Sequence, residues 1–208
     1  LLDAIERTAL QIGAVNTIAR NDCRLRGYNT DGQAALAVLQ SLAGSLLGRR
    51  AVILGAGGAA RAIVYYLSKT VESIAILNRT RSRGSSIASK IARLRGITCR
   101  SYGLNKASLQ RELGQADLLI NTIPSESFAR FGNILIQERL VRQDMVVFDV
   151  NYKPKNDFLV NAKLAGAKAV DGLDMLVRQA ALSFTLWTGR EAPVDVMRGA
   201  AVQARATW

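Results

Sequence analysis

The fold of this chain is decided by the stretch Ala51-Val-Ile-Leu-Gly-Ala-Gly-Gly-Ala-Ala-Arg61. Four apolar residues typical of a buried strand run directly into a glycine cluster, and the small apolar residues that follow are typical of a helix. In such a strand, turn and helix, Gly55 allows the tight turn and Gly57 lets the backbone approach a bulky anion. Gly58 and Ala59 are expected to let the helix pack closely on the strand. The first N–H groups of the helix would then bind a pyrophosphate, although a glycine turn without a ligand is the alternative that so short a motif leaves open.

Strands and helices alternate along the rest of the chain. Strands are predicted over 13–20, 23–28, 51–54, 73–77, 97–100, 117–122, 145–150 and 168–170. Helices are predicted over 1–10, 33–42, 59–68, 85–94, 108–113, 173–186 and 194–206. Apolar strands that alternate with helices indicate a parallel sheet covered on both faces. Together with the glycine turn and right-handed crossovers, this pattern predicts an α/β fold with a doubly wound parallel sheet, the Rossmann nucleotide-binding fold.

The connections between the predicted elements also carry signals. Asn21 and Asp22 are predicted to turn the first two strands into a hairpin. Thr30 or Asp31 is expected to cap the helix that follows the hairpin. Pro193 is expected to open the last helix at its first turn.

The composition limits the chemistry that the chain can perform. It has 208 residues, of which 49% are hydrophobic and 21% charged, enough to bury a core, and it contains no histidine. Histidine-dependent acid–base catalysis, Ser-His-Asp triads and most zinc sites are therefore excluded. The two cysteines, Cys23 and Cys99, lack metal-binding spacing, so we expect two thiols in a reducing compartment and no metal.

The charge and the apolar runs limit the partners and the location. With 28 Lys and Arg against 16 Asp and Glu, the formal net charge is +12, spread along the chain. We interpret this as a solvated basic surface with a local patch for ligands that bear phosphate, and nucleic-acid binding remains the alternative. No apolar run is as long as a membrane span and no signal peptide is visible, so we expect a soluble, cytoplasmic protein. Because the chain does not begin with Met, we expect it to be a processed or truncated piece.

The residues after the second strand of the predicted sheet indicate which dinucleotide binds. An acidic side chain there accepts from the 2′-hydroxyl of NAD, whereas a basic cluster accommodates the 2′-phosphate of NADP. The chain reads Asn78-Arg-Thr-Arg-Ser-Arg83, without an acid. Arg79 can stack on the adenine and pair with the phosphate, Thr80 can donate a hydrogen bond, and Arg83 can add charge. A surface arginine cluster is the alternative, but the helix dipole disfavours cations at a helix start, so we expect NADP.

Short motifs rich in Gly, Asn and Asp are spread over the chain. They are Gly13-Ala-Val-Asn-Thr17, Gly27-Tyr-Asn-Thr-Asp-Gly32, Gly55-Ala-Gly-Gly-Ala-Ala-Arg-Ala62, Asn78-Arg-Thr80, Asp149-Val-Asn-Tyr-Lys-Pro154, Asp171-Gly-Leu-Asp-Met-Leu-Val-Arg-Gln179 and Trp187-Thr-Gly189. In this order and spacing, the set resembles the shikimate dehydrogenase family across the whole chain. The resemblance implies NADPH-dependent reduction of 3-dehydroshikimate to shikimate, a step towards aromatic amino acids.

The resemblance also implies roles for individual residues. Asn16 and Asp31 correspond to ligands of the substrate hydroxyls, and Asp31 is also the acidic half of a catalytic Lys–Asp pair. Tyr152 and Gln179 correspond to further substrate contacts. The implied cofactor contacts are Gly55, Ala56, Gly57, Gly58, Ala59, Asn78, Arg79, Thr80, Arg83, Val150 and Gly172. Without the resemblance, Asp31 is equally interpreted as a helix cap and Asn16 as a turn residue.

Two parts of the chain depart from the family pattern. The loop Asn121-Thr-Ile-Pro-Ser-Glu126 differs from the motif that the family places beside the nicotinamide, which leaves the role of this loop open. The family's substrate lobe begins with a segment that carries a serine pair and the catalytic lysine, whereas the first lysine here is Lys69. We therefore expect a complete cofactor domain with half of an active site. Loss of a positioned proton donor costs about two to four orders of magnitude in rate.

These observations suggest a division of the chain into three parts. Residues 1–31 would be the remnant of a substrate-binding lobe, made of a helix end and a hairpin. Residues 32–172 would form the NADP-binding domain, and residues 173–208 would be helices that return to the substrate lobe.

Three hypotheses about function follow. The first is the cofactor-binding portion of a shikimate dehydrogenase, which binds NADPH and turns over little by itself. The second is a quinate/shikimate enzyme with a looser choice of substrate and cofactor, and the third is a non-catalytic module that binds nucleotides or nucleic acid. Because the tail helices would lack part of their packing, we expect Leu176, Phe184 and Trp187 to be partly uncovered and the chain to self-associate.

Overall fold

The computed structural model describes residues 2–21, 23–137, 139–154 and 156–207. This described part contains two sheets and nine helices. The strands are β1 (Ala4–Ile5), β2 (Thr17–Asn21), β3 (Arg24–Tyr28), β4 (Arg50–Leu54), β5 (Ser73–Asn78), β6 (Thr98–Gly103), β7 (Leu118–Asn121), β8 (Val146–Asp149) and β9 (Lys168–Val170). The helices are α1 (Arg7–Ile12), α2 (Asp31–Ala43), α3 (Gly58–Leu67), α4 (Arg81–Arg95), α5 (Lys106–Leu113), α6 (Ser125–Gln137), α7 (Asp157–Leu164), α8 (Leu173–Thr188) and α9 (Val194–Ala206).

The larger sheet has the strand order β6-β5-β4-β7-β8-β9, and all its strand pairs are parallel. From β4 the chain moves outward through β5 to β6, returns to β7 on the other side of β4, and continues to β8 and β9. The order therefore reverses between β4 and β7, and sheets of this topology bind ligands outside the carboxyl ends of the strands at that point. The predicted α/β fold with a doubly wound parallel sheet is confirmed.

Both faces of this sheet are buried, because successive side chains along each strand point to opposite sides. Ile53 and Phe148 pack with apolar residues of α2, α3 and α4 on one face. Leu54 and Val147 pack with those of α5, α6 and α7 on the other. This two-sided burial explains why the strands are nearly continuous apolar runs in the sequence.

The smaller sheet contains the predicted hairpin. β2 pairs with β3 in antiparallel fashion, and β1 lies parallel to β3 on its other side. The first hairpin strand begins at Thr17 and not at residue 13, because Gly13 ends α1 in the left-handed conformation with a φ of 78°. The predicted turn falls partly on Asp22, which lies outside the described residues.

The segment over 1–10 was predicted as helix throughout, and this prediction is wrong for its first part. The helix α1 begins only at Arg7, because the carboxylate of Glu6 accepts hydrogen bonds from the backbone N–H groups of Thr8 at 2.7 Å and Ala9 at 3.1 Å. The residues before Glu6 include β1, whose pairing with β3 no local pattern indicates.

The predicted caps of α2 and α9 are also corrected. Thr30 precedes α2, but its side chain makes no capping bond, and Asp31 is already the first helical residue. The hydroxyl of Thr30 instead accepts a hydrogen bond from Asn16 at 2.9 Å. Pro193 stands one residue before α9 and not in its first turn.

Two helices, α6 and α7, were absent from the prediction. Phe128 and Leu135 of α6 are buried at helical spacing, and Pro124 before the helix accepts a backbone bond from Phe128 at 3.0 Å. The side chain of Asn156 caps α7 by accepting from the N–H of Leu159 at 3.1 Å. The apolar residues spaced by seven could have revealed α6, and the Asn cap followed by apolar residues could have revealed α7.

The close packing of α3 on the sheet was predicted for Gly58 and Ala59, and the structure places it at the next small residues, Ala60 and Ala62. Gly58 is exposed, and the nearest atom to a Cβ added there is 3.8 Å away. Ala60 and Ala62 are the fully buried small residues of α3 in the core cluster. Gly58 stands on the solvent side of α3, so it makes no close contact with the sheet.

We predict that Gly32→Ala destabilises the chain by about 1–3 kcal/mol, because the added Cβ overpacks the contact between α2 and α3. That Cβ would lie 2.4 Å from the ring of Tyr66 and 2.6 Å from the backbone oxygen of Ala62. Denaturant unfolding measures the change. Gly199→Ala is the matched control: it lies exposed in α9 with no atom within 4 Å, and should gain about 0.5–1 kcal/mol from helix propensity. Equal effects of both substitutions would contradict the packing argument.

Candidate active site

A glycine turn follows β4 at the point where the strand order reverses. Gly55 has a φ of 106°, and a Cβ there would lie 2.4 Å from Oγ1 of Thr122 in the loop after β7. Only glycine fits this position. Gly57 precedes the first turn of α3, no side chain caps this helix, and a Cβ at Gly57 would meet nothing within 4 Å. The first N–H groups of α3 are thus left to a ligand, which fits the pyrophosphate of a dinucleotide.

An arginine cluster stands at the same edge of the sheet, one strand away. β5 lies parallel to and in register with β4, and the side-chain amide of Asn78 at its end donates to the backbone oxygen of Thr80 at 2.9 Å. α4 begins at Arg81 without a side-chain cap and without an acidic residue in its first turn. Arg79 and Arg83 are exposed beside it. A helix start that carries cations and no acid fits a bound phosphate.

A cavity of about 280 Å³ lies beside the glycine turn and brings together residues from five segments of the chain. Its lining contains the four predicted substrate residues and three of the predicted cofactor residues, together with two apolar residues of α8. They are Asn16, Asp31, Tyr152, Gln179, Ala59, Val150, Gly172, Met175 and Leu176. The predicted contacts Gly55 to Gly58 and Asn78 to Arg83 do not line the cavity.

Met175 was missed as a site residue. It stands three residues after Gly172 and four before Gln179, so helical spacing within the quoted motif places it on the same side of α8. Met175 is 7% exposed and belongs to the core cluster beneath the sheet. Its position joins the cavity floor to the core.

Asn16 and Asp31 are joined directly. The side-chain amide nitrogen of Asn16 donates to Oδ1 of Asp31 at 2.7 Å and to Oγ1 of Thr30 at 2.9 Å. Burial raises the pKa of Asp31, and the hydrogen bond from Asn16 lowers it. The alternative interpretations, a helix cap for Asp31 and a turn residue for Asn16, do not account for this pairing across two elements.

Gly172 closes the cavity from the side of β8. A Cβ at Gly172 would lie 2.0 Å from the backbone oxygen of Val150, so a larger residue would push the start of α8 away from the end of β8. The N–H of Gly172 also donates to the backbone oxygen of Asn151 at 3.0 Å. This approach fixes Gln179 and Met175 relative to Tyr152, on the opposite wall.

A buried aspartate that the sequence reasoning did not assign supports the same wall. Asp149 is 1% exposed, and its carboxylate accepts hydrogen bonds from the side chains of Asn121 at 3.0 Å, Asn151 at 2.7 Å and Asn156 at 2.9 Å. Burial raises the pKa of Asp149, and these donors lower it. Asp149 begins one of the quoted motifs, so the acid before Val150 was the available signal.

The loop over 121–126, whose role was left open, is tied to the same cluster. The side-chain oxygen of Asn121 accepts from the N–H of Ile123 at 3.0 Å, and the amide of Asn151 donates to the oxygen of Ile123 at 2.8 Å. At the end of the loop, Glu126 forms an ion pair with Lys153, whose ammonium lowers the pKa of Glu126. The loop is therefore linked to the segment that carries Tyr152.

Ion pairs hold the two C-terminal helices together. Asp171 pairs with Arg205 at 2.6 Å, and Asp174 pairs with Arg178 at 2.6 Å and also with Arg198. The acids stand at the start of α8, where the helix dipole favours negative charge, and Arg198 and Arg205 come from α9. α9 has no buried residue, so these pairs are a main part of its attachment.

The apolar residues expected to be uncovered on α8 are indeed only partly covered. Leu176 and Phe184 are half-buried, and Trp187 is 61% exposed. The indole N–H of Trp187 donates to the backbone oxygen of Ile18 at 2.8 Å, which ties α8 to the hairpin. Ile18 is itself 50% exposed. An apolar strip thus runs from α8 onto β2.

Within the described part of the chain, no group of three or more His, Cys, Asp or Glu side chains is arranged to hold a metal ion. The helices found there include none that is both long and apolar enough to cross a membrane.

We predict that Asn16→Ala raises the pKa of Asp31 further, because the substitution removes the hydrogen bond that lowers it while the carboxyl stays buried. Asp31 would then be ionised over a narrower range of pH. Carbon-13 NMR of the aspartate carboxyl groups measures the change, with Asp3→Asn used to help assign the signals. An unchanged titration of Asp31 would show that the bond contributes nothing in solution.

Comparisons with known proteins agree with this geometry. The family model described as Shikimate / quinate 5-dehydrogenase matches residues 37–164. The model described as Shikimate 5'-dehydrogenase C-terminal domain matches residues 172–202. The two matches cover β4 to β8 with the helices between them, all of α8 and most of α9.

Named relatives and solved structures match almost the whole chain. The shikimate dehydrogenase (NADP(+)) of Moorella thermoacetica is 41% identical over 198 residues, which is 94% of this chain and 67% of that protein. A crystal structure of a shikimate dehydrogenase in complex with NADP+ is 36% identical with a TM-score of 0.86, covering 98% of this chain and 71% of the other. The Listeria monocytogenes shikimate 5-dehydrogenase, solved with shikimate and NAD, is 29% identical with a TM-score of 0.85 over 96% and 71% of the two chains. The chain belongs to the shikimate dehydrogenase family.

Proposed function

We propose that this chain acts as an NADP+-dependent oxidoreductase that interconverts 3-dehydroshikimate and shikimate. The observation that carries the proposal is the cavity in which Asn16, Asp31, Tyr152 and Gln179 meet beside the glycine turn. Four short polar side chains on separate elements suit a small ring that bears several hydroxyl groups. The names of the relatives and of the structural neighbours support the same assignment.

The cofactor would lie along the carboxyl edge of the sheet. Its pyrophosphate would bind the N–H groups at the start of α3, and its 2′-phosphate would bind Arg79, Thr80 and Arg83. Ala59, Val150 and Gly172 would then place the nicotinamide end in the cavity, as they line it together. NADPH, when bound, supplies the reducing equivalents to the substrate carbonyl.

The substrate side would depend on Asp31. One oxygen of Asp31 accepts from Asn16, and among the contacts of the described residues the other oxygen has no partner, so it can accept from a substrate hydroxyl. Asp31 would hold this hydroxyl and exchange its proton, while Asn16 orients the carboxylate. Met175 and Leu176 would exclude water from the apolar side of the ring.

The cavity contains a single charged side chain, Asp31, within the part of the chain that the structure describes. The first lysine in the sequence is Lys69, which does not line the cavity. We therefore propose that the acid–base partner of Asp31 comes from outside these lining residues. Turnover by this chain alone should be about two to four orders of magnitude below that of a relative with a positioned proton donor.

We also propose the division of the chain made above, with a substrate-lobe part over 1–31, an NADP-binding domain over 32–172, and C-terminal helices over 173–208. The separate three-stranded sheet and the contact of Trp187 with the hairpin support it. The proposed setting is the cytoplasm, without a metal, and the exposed strip on α8 and β2 supports self-association.

A quinate/shikimate dehydrogenase with looser cofactor choice is the second candidate, favoured by the combined description of the matching family model. Assays with quinate and with NAD separate it from the first. A nucleic-acid-binding module would instead show a steep salt dependence of RNA binding and no competition by NADPH.

We predict that Arg79→Ala weakens NADPH binding about 10- to 100-fold and NADH binding much less, because the 2′-phosphate that pairs with the guanidinium is present only in NADPH, whereas the adenine on which Arg79 can stack is common to both. Fluorescence titration of the purified chain with both dinucleotides measures this. Arg93→Ala is the control, since Arg93 donates to Ser89 within the same helix, far from its first turn. Failure of the unsubstituted chain to bind NADPH would overturn the proposed function.

We predict that Asp31→Asn lowers the rate of shikimate oxidation about 10²- to 10⁴-fold while NADPH affinity is retained, because the amide cannot take a proton. Formation of NADPH from shikimate and NADP+ is followed by absorbance. Asp144→Asn is the control, as Asp144 is exposed and paired with Arg142 before β8, at the opposite edge of the sheet. Equal rates for Asp31→Asn and the unsubstituted chain would exclude Asp31 as the group that takes the proton.

A further inference from the structure

Asp149, the last residue of β8, carries a buried carboxylate that lies outside the lining of the cavity. Four hydrogen bonds from described residues end on it. Its Oδ1 accepts from the backbone N–H of Asn151 at 3.0 Å, from the side-chain amide of the same residue at 2.7 Å and from that of Asn121 at 3.0 Å. Its Oδ2 accepts from the side-chain amide of Asn156 at 2.9 Å. Both oxygens of the carboxylate therefore face N–H donors.

Backbone groups fix the orientation of all three asparagine amides. The side-chain oxygen of Asn121 accepts from the N–H of Ile123 at 3.0 Å, and that of Asn156 accepts from a backbone N–H of α7 at 3.1 Å. A backbone N–H can only donate, so the nitrogen of each of these two amides must face Asp149. The amide nitrogen of Asn151 also donates to the backbone oxygen of Ile123 at 2.8 Å, and a carbonyl can only accept. Asp149 thus accepts in all four bonds, as an ionised carboxylate does.

The bonds of Asp149 reach the cavity through its two neighbours in the chain. Asn151, which Asp149 holds by both backbone and side chain, accepts from the N–H of Gly172 at 3.0 Å, at the start of α8. Val150 donates its own N–H to the backbone oxygen of Asn121 at 3.0 Å. Val150 and Gly172 both line the cavity. The carboxylate therefore lies behind the part of the wall that the nicotinamide end of the cofactor would meet.

We propose that Asp149 is a positioning residue for the nicotinamide end of the cofactor: its carboxylate holds the loops after β7 and β8 so that Val150 and Gly172 form the cavity wall. The apparent affinity for a ligand falls with the fraction of molecules whose site is in the binding arrangement. Loosening these loops should therefore weaken binding of the nicotinamide end. The inference rests on the proposed function, which places the nicotinamide beside Val150 and Gly172.

The substitution Asp149→Asn keeps the shape of the side chain and replaces one acceptor with an N–H₂ donor. Either orientation of the new amide sets this donor against another donor, because three bonds end on Oδ1 and one on Oδ2. A buried donor without an acceptor is costly, so the loops should loosen. Adding Asn156→Asp removes the conflict, since the amide at position 149 can then donate to a carboxylate at position 156. Aspartate caps a helix as well as asparagine does, so α7 keeps its cap.

The experiment compares four forms of the 208-residue chain: unsubstituted, Asp149→Asn, the pair Asp149→Asn with Asn156→Asp, and Asp157→Asn. Asp157→Asn is the matched control, because it removes the same charge from the exposed first turn of α7. Calorimetry gives the affinities for NADPH and for adenosine 2′,5′-bisphosphate, which carries the 2′-phosphate but no nicotinamide. Hydrogen exchange followed by NMR gives the protection of the N–H groups of Val150 and Gly172.

A second variant covers the case in which Asp149→Asn does not fold. Asn151→Ala removes the side-chain donor at 2.7 Å from Asp149 and keeps the backbone oxygen that accepts from Gly172. It should weaken NADPH binding and accelerate exchange at Gly172 in the same way, by a smaller factor.

We expect Asp149→Asn to weaken NADPH binding about two- to tenfold and to accelerate exchange of the Val150 and Gly172 N–H groups, with the affinity for adenosine 2′,5′-bisphosphate unchanged. Loss of a negative charge alone would strengthen the binding of the NADPH anion, so weaker binding reports on geometry. The pair of substitutions should restore both values, and Asp157→Asn should weaken the binding of neither ligand.

The positioning role is overturned if Asp149→Asn behaves like Asp157→Asn, if it weakens the binding of both ligands equally, or if adding Asn156→Asp restores nothing. A different result separates this inference from the proposed function. If the unsubstituted chain does not bind NADPH while exchange at Gly172 still responds to Asp149→Asn and recovers in the pair, the proposed function fails and Asp149 still holds the two loops.

Discussion

The close approach of Gly55 to Thr122 is the constraint on which the rest of the molecule depends. A residue with a side chain at position 55 would meet Oγ1 of Thr122 at 2.4 Å and would have to adopt a φ of 106°. The same hydroxyl donates to the backbone oxygen of Leu54 at 2.7 Å, so the ends of β4 and β7 are tied together where the strand order reverses. The glycine turn and the arginine cluster lie at these strand ends, and the cavity lies beside the turn.

The cavity is assembled from distant segments by polar contacts of two kinds. On one wall, hydrogen bonds among the side chains of Asn16, Thr17, Thr30 and Ser183 join the hairpin, the start of α2 and α8. On the other, the carboxylate of Asp149 gathers three asparagine side chains and so holds the loops after β7 and β8. Each network contains buried polar groups, such as Thr17 and Asp149, that are hydrogen-bonded within the protein, a condition that favours one arrangement over several.

The C-terminal helices connect these walls. Gly172 lets α8 start against the end of β8, ion pairs of Asp171 and Asp174 attach α9, and Trp187 reaches the hairpin. The site therefore depends on a helix whose outer surface is only partly covered, since Trp187 is 61% exposed. The match between this chain and the relative from Moorella thermoacetica spans 67% of the relative's length.

The sequence by itself determined the doubly wound sheet and the glycine turn, and it predicted a phosphate site at the arginine cluster, because each follows from local rules. Strand and helix periods are visible within a few residues, a positive φ demands glycine, and cations at a helix start without acids indicate an anion. It also pointed to Asn16 and Asp31, through motifs that resemble a family. Tertiary structure alone decided that the Thr30 side chain turns to Asn16 instead of capping α2, that Met175 lies in the cavity, and that Ser183 bonds to Thr17 of the hairpin. These outcomes depend on which groups meet across separations from 14 to more than 150 residues, and the partner of a buried hydroxyl is set by packing, which no local pattern encodes.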